Sequence, residues 1–185
     1  MLPKVLLYIL LLSMTTTLPG RIDNSATIVK KSSPLPQNAT VVFSTKINYI
    51  TFLCGTISQS ADEVSPMVHS VAFFAKVNED GELLWLRKYW GDEHNTLSTL
   101  LEVEGGYLLA GEAYSRYGST CMMIKTDYEG NSQWMRYSGD GQKTEAKSIT
   151  TVSAGTYAVD VVIKDWESHS IPITIKIDAC GKILD

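Results

Sequence analysis

The sequence lacks long basic runs, closely spaced cysteines and any extended helical pattern, and each absence removes a class of protein. Lys and Arg number 16 against 20 Asp and Glu, the formal charge is -4, and no basic run is longer than Lys30-Lys31. A nucleic-acid binder concentrates positive charge on one face, so nucleic acid is excluded as a partner. The three cysteines, Cys54, Cys121 and Cys180, are far apart in the chain. Their spacing does not fit a zinc site, and at most one internal disulfide can form among them. The simplest reading is two thiols buried in strands and a third near a turn. Beyond the first twenty residues no ten-residue stretch shows the 3.6-residue apolar stripe of a helix. Charged residues are only 19%, too few for a disordered polyelectrolyte, while 44% hydrophobic residues suffice for a core. The 185 residues give room for one ordinary domain or two very small ones.

What is present begins with a leader-like amino terminus. Lys4 precedes an apolar stretch from Val5 to Leu12, extended by Ser13 and Met14 and followed by Thr15, Thr16, Thr17, Leu18, Pro19 and Gly20. That order is expected of a signal peptide, residues 1–20, with Leu18 and Gly20 before the cut. A membrane-spanning helix needs roughly 20 apolar residues, twice this run, so no stable span is expected and an uncleaved anchor is the alternative. The expected location is secreted or extracytoplasmic. Asn38-Ala39-Thr40 is the one glycosylation sequon.

The rest of the chain shows self-similarity. Lys76-Val77-Asn78-Glu79-Asp80-Gly81 followed by Trp85 is matched by Lys125-Thr126-Asp127-Tyr128-Glu129-Gly130 followed by Trp134, and again by Lys176-Ile177-Asp178-Ala179-Cys180-Gly181. Tyr89-Trp90-Gly91 is echoed by Tyr137-Ser138-Gly139. Gly105-Gly106-Tyr107-Leu108-Leu109-Ala110-Gly111 is echoed by Gly155-Thr156-Tyr157-Ala158-Val159, and Leu108–Gly111 by Phe52–Gly55. The unit is about 50 residues, a period that belongs to repeat architectures.

Within a unit, β-rich runs at Val71–Val77 and Glu82–Tyr89 flank the turn Asn78–Gly81. Thr96–Val103 and Tyr107–Ala113 flank Glu104–Gly106, and another strand opens at Cys121. Four short strands per unit predict an all-β fold and, at this period, an incomplete β-propeller of about three four-stranded antiparallel blades. Trp85 and Trp134 are expected to wedge between neighbouring blades. The units fall roughly at 41–74, 75–123 and 124–175, with a terminal strand at 176–185. Residues 21–40, with Ser32, Ser33, Pro34 and Pro36, read equally as a linker or a degenerate strand.

Lys-x-Asp-x-x-Gly-x-x-x-Trp, then Tyr-x-Gly, then Gly-Gly-Tyr-x-x-Ala-Gly resembles the repeat of secreted bacterial and archaeal β-propeller proteins, and is distantly similar to quinoprotein-like propellers. The match is good over Val71–Asp185 and partial over Val41–Gln59. Departures occur: Thr156 replaces Gly106, Val159-Asp160 stands for Ala110-Gly111, and the last copy lacks its Trp. Closed propellers have roughly four to eight blades, so three units leave an open array. Its exposed blade edges predict self-association.

Chemistry is sparse. No Gly-x-Ser-x-Gly elbow is present, Gly181-Lys182 is no phosphate loop, and Gly139-Asp140-Gly141 reads as a turn rather than a dinucleotide site. His69, His94 and His169 fall in expected loops at non-equivalent repeat positions, which argues against a shared metal. The Asn78–Gly81 and Asp127–Gly130 turns lack a calcium loop's closing Glu, with Tyr89 and Ser138 in its place. Asp62-Glu63 and Asp92-Glu93 read as solvated charge. Tyr114, Arg116 and Tyr117 form an aromatic-basic loop suited to recognition. No catalytic, cofactor-binding or metal residue is assigned, and no cofactor is implied. The expected role is a non-catalytic binding or scaffolding module for an unknown protein or carbohydrate ligand. The alternatives are a subunit of a propeller enzyme completed by another chain, or a shortened gene remnant.

Overall fold

The computed structural model describes residues 35–59, 69–91, 93–141, 143–164, 167 and 169–184. The expected signal peptide, most of the 21–40 segment, Asp62-Glu63 and Asp92 lie outside the described residues. Among the described residues there is no helix. Twelve strands follow one another: β1 Ala39–Ile47, β2 Ile50–Ser58, β3 Ser70–Val77, β4 Leu83–Tyr89, β5 His94–Val103, β6 Gly106–Ser115, β7 Gly118–Thr126, β8 Ser132–Gly141, β9 Lys143–Ser153, β10 Thr156–Lys164, β11 Ser170–Asp178 and β12 Ile183–Leu184.

Pairing is antiparallel between sequence neighbours in three runs, β1 to β4, β5 to β8 and β9 to β12. A single parallel pairing, Ser70 with His94, joins β3 to β5, so the first eight strands form one sheet and the last four another. The Lys-x-Asn/Asp-x-x-Gly segments sit inside these runs, between their third and fourth strands. Gly139 and Gly141, expected in a turn, instead end β8.

The three turns are built alike. The Gly81 N–H donates to the Asn78 carbonyl at 3.0 Å, Gly130 to Asp127 at 3.2 Å, and Gly181 to Asp178 at 3.0 Å. The side-chain oxygen of the first residue also caps the turn. Asn78 accepts from the Glu82 N–H at 2.8 Å, Asp127 from Asn131 at 2.7 Å, and Asp178 from Lys182 at 2.9 Å. An Asn or Asp side chain replaces a missing backbone acceptor in this way, and the glycine takes the positive φ that an L side chain resists. That φ is 76° to 78° in all three turns.

Each run also carries a bulge at a corresponding place, against its second strand. The register shifts between Val41 and Phe43 opposite Gly55 and Cys54, and between Leu97 and Thr99 opposite Gly111 and Ala110. In the third run Ala146 pairs Val161 and Ser148 pairs Asp160. The hydrogen-bond register therefore matches Asp160 to Ala110 and Val161 to Gly111, one residue away from the alignment expected from sequence.

Apolar side chains on opposite faces of one strand enter two different cores, which is why β6 and β7 read as unbroken apolar runs. Phe52, Cys54, Ala72 and Phe74 cluster with Leu97, Leu109, Met122 and Ile124. Leu108, Ala110, Cys121 and Met123 cluster with Ile149, Val159, Val161, Ile175 and Ile177. Phe73, Phe74, Leu108, Leu109, Met122 and Met123 are fully buried. Each such side chain stabilises by about 1.5–3 kcal/mol on removal from water. A third cluster gathers Ile57, Val71, Phe73 and Ala75 on the far face of the first run.

Trp85 and Trp134 have like surroundings. The Trp85 indole lies so close to Gly130 that an added Cβ would sit 3.0 Å from its ring atoms, and Trp134 stands at the same distance from the corresponding point of Gly181. Each ring also carries an arginine two residues on, Arg87 at 5.7 Å and Arg136 at 5.9 Å from the ring centre. Trp134 Nε1 donates to the Ala179 carbonyl at 3.0 Å, and the Tyr89 hydroxyl donates to the Gly130 carbonyl at 2.8 Å. The indole of one run thus holds the third turn of the next.

The free face of the third run is polar. Asp160 accepts hydrogen bonds from the Ser148 hydroxyl at 2.6 Å and the Thr174 hydroxyl at 2.8 Å. Apolar Ala110 and Met123 occupy the matching places in the second run, where the third run covers them.

Candidate functional site

The first strands of the three runs, β1, β5 and β9, lie near one another, and the Ser98 hydroxyl on the β5 bulge donates to the Ala146 carbonyl of β9 at 2.7 Å. An open cleft of about 620 Å³ lies where β5 and β9 begin, β6 ends and β7 starts. Glu112 and Tyr114 enter it from the face of β6 whose Leu108 and Ala110 belong to the second core.

Its walls come from known registers. His94 opens β5 opposite Tyr114, and their rings are 6.2 Å apart. The His94 Nδ1 lies 3.3 Å from the Ser70 hydroxyl, which ties the ring to β3. Glu112 stands opposite Thr96. Arg116 and Tyr117 form the two-residue turn between β6 and β7, closed by the Tyr117 N–H donating to the Ser115 hydroxyl at 3.2 Å. The Arg116 guanidinium lies 4.9 Å from the centre of the Tyr117 ring, a cation–π contact that stiffens an otherwise solvated loop. Lys143 closes the far side, and β9 is anchored there because the Thr144 N–H donates to the buried Ser119 hydroxyl at 2.7 Å.

A second cavity of about 340 Å³ shares Glu112 and Lys143 with the first and continues along β5 and β9 past Thr96, Ser98 and Glu145 to Lys164. Here lysines surround one carboxylate. Lys147 Nζ is 2.5 Å from Glu145 Oε1. The hydrogen bond from Lys147, with the charges of Lys164 and Lys143 behind it, holds the Glu145 carboxyl below its usual range.

No family model and no curated protein matches the chain.

The aromatic-basic loop expected to be a recognition tip, Tyr114, Arg116 and Tyr117, forms one wall of the larger cleft, with Tyr114 46% and Tyr117 79% exposed. His94, expected in a loop, opens a strand and joins that wall. His69 and His169 do not line either cavity, and His169 instead faces Glu167 at 3.6 Å. Among the described residues no group of three His, Cys, Asp or Glu side chains comes together to hold a metal ion. Sequence reasoning missed Glu112, Lys143 and Lys164. Lys143 and Lys164 face each other in the β9–β10 ladder, and Glu112 of β6 joins them only through the packing of the third run on the second, so no spacing in the sequence marks the three.

The cysteines divide. Cys54 and Cys121 are buried in strands and Cys180 is exposed in the last turn, all three as free thiols. Burial pushes the Cys54 and Cys121 thiols up to about 12, which leaves them protonated and unreactive at neutral pH.

Proposed function

We propose that the chain is a non-catalytic, secreted or surface-held module of the β-propeller-repeat kind, an open array of three four-stranded blades that binds a ligand in the cleft at its β5–β9 side. The observation that carries this reading is the cleft itself. Exposed tyrosines and fixed polar groups from four strands converge on an opening of ligand size, and pockets of some 300–1,000 Å³ with a few oriented polar groups are where proteins hold small ligands or chain ends. The likeness of the three capped turns and the matching places of Trp85 and Trp134 support the blade reading. The leader-like segment of residues 1–20 supports secretion.

The test is retention of the purified mature protein on a panel of immobilised glycans and proteins, alongside a Tyr114→Ala/Tyr117→Ala double variant. Retention on at least one ligand, lost in the double variant, is the expected result. Retention that the double variant keeps in full would place binding elsewhere.

The same proposal includes self-association through a strand edge. The two-residue β12 pairs only with Lys176 and Ile177 of β11. Ser170–Ile175 of that strand therefore has a ladder edge without a strand partner among the described residues, with Ile171 and Ile173 exposed beside it. Free edges of this kind accept another strand.

A further inference from the structure

We infer that the cleft and its continuation along β5 and β9 form one groove for an anionic, linear saccharide whose units carry carboxylates. The inference rests on the reading of the cleft as a ligand site and adds its chemical class. The two cavities of about 620 and 340 Å³ adjoin at Glu112 and Lys143, and neighbouring cavities in a row suit the successive units of a chain.

Charge sets the sign of the ligand. The protein as a whole is acidic, with a formal charge of -4, yet Arg116, Lys143 and Lys164 line the groove and Lys147 stands beside it, against the carboxylates Glu112 and Glu145. Glu145 is already engaged by Lys147, so Lys143 and Arg116 retain charge to offer a carboxylate, and a localised positive track on an acidic protein draws polyanions to that track.

The uncharged surroundings set the rest. Tyr117, among the most exposed aromatics of the chain, presents a rigid ring at the wide end, backed on one side by Arg116. Such a ring stacks on the apolar face of a pyranose at low entropic cost. Glu112 is an acceptor for sugar hydroxyls, and Thr96 and Ser98 add hydroxyls along the floor.

The test uses affinity electrophoresis and calorimetry of the full mature chain with sodium polygalacturonate, with the same polymer after carboxyl reduction, and with dextran sulfate. Binding of polygalacturonate, at least tenfold weaker with the carboxyl-reduced polymer, and reduced about tenfold by Lys143→Ala and by Tyr117→Ala, is the expected result. Tyr49→Ala, a change at an exposed tyrosine in the β1–β2 turn away from the groove, leaves binding unchanged. Equal binding of the carboxyl-reduced polymer, lost with Tyr117→Ala, would overturn the anionic class while leaving the cleft as the binding site. Equal binding of dextran sulfate with no effect of Tyr117→Ala would reduce the observation to unspecific charge attraction and overturn the inference. No binding of polygalacturonate would overturn it as well, whatever the wider panel shows.

Discussion

Asp160 shows how one residue changes what a strand face can do. At the matching place in the second run a small apolar Ala110 is covered by the third run, whereas Asp160 faces outward and is held by two hydroxyls. The bonds from Ser148 and Thr174 keep its carboxyl below the ordinary value of 3.8. A carboxyl lowered in the folded state stabilises it fully above the unfolded value, and the contribution fades as pH falls through the lowered one. Asp160→Asn therefore unfolds at a lower denaturant midpoint than the parent at pH 7, and the gap closes as the pH is taken well below 3.8. Parallel urea titrations at pH 7 and pH 2.5 check this, and a gap that widens at low pH would contradict it. The cysteines permit an equally direct check. Iodoacetamide at pH 8 should modify only Cys180 in the native protein, with Cys54 and Cys121 reacting after unfolding, as peptide mass analysis would report. Native modification of Cys121 would mean that the core of β7 opens readily.

At the scale of elements, the joint between runs depends on an indole meeting a glycine turn. Trp134→Ala removes the ring from Gly181 and the hydrogen bond to Ala179. It should cost about 2–4 kcal/mol, less than a wholly buried tryptophan because the ring is half-exposed. Chemical denaturation gives the value, and a loss under about 0.5 kcal/mol, the range of ordinary surface changes, would show the wedge to be idle. These elements were largely legible beforehand. The absence of a 3.6-residue stripe and the alternation of apolar runs with Asn/Asp/Gly turns foretold an all-β chain of antiparallel hairpins, because turn chemistry and strand patterning are local properties. Val71–Val77 and Thr96–Val103 were expected as strands and lie in Ser70–Val77 and His94–Val103. What sequence misplaced was register. Setting Val159-Asp160 against Ala110-Gly111 was one residue out: the bulged residues, Ser98 and Lys147, lie in the first strands, and the ladders keep Asp160 with Ala110, at the same spacing as Tyr157 and Tyr107. Gly139 was given to a turn although β8 extends through it. The cleft was legible only on one wall. Tyr114, Arg116 and Tyr117 sit together around one turn and are conspicuous, while Glu112 reaches the paired Lys143 and Lys164 only through packing between runs.

For the whole molecule, the last run presents a face and an edge of different character. The outward face of β9–β11 carries the Asp160 network and resists stacking a further apolar sheet upon it, since burying that carboxylate without a cation is costly. The edge of β11 beside it has no strand partner among the described residues over Ser170–Ile175 and is apolar at Ile171 and Ile173. Self-association, on the proposal above, thus runs through backbone pairing at this edge rather than through a face. Multi-angle light scattering at micromolar concentration should find a species larger than 20.4 kDa. Ile173→Lys should return it to a monomer, because a lysine on an edge strand discourages pairing. A parent protein that is monomeric throughout would remove the idea.

The neighbour-to-neighbour order of strands within each run has a temporal consequence. Every ladder but the single Ser70–His94 link closes a loop of short contour length, so little chain entropy is lost before each pairing is rewarded. During synthesis β1 to β4 can zip up before β9 has been made. Later runs then condense on a template already in place.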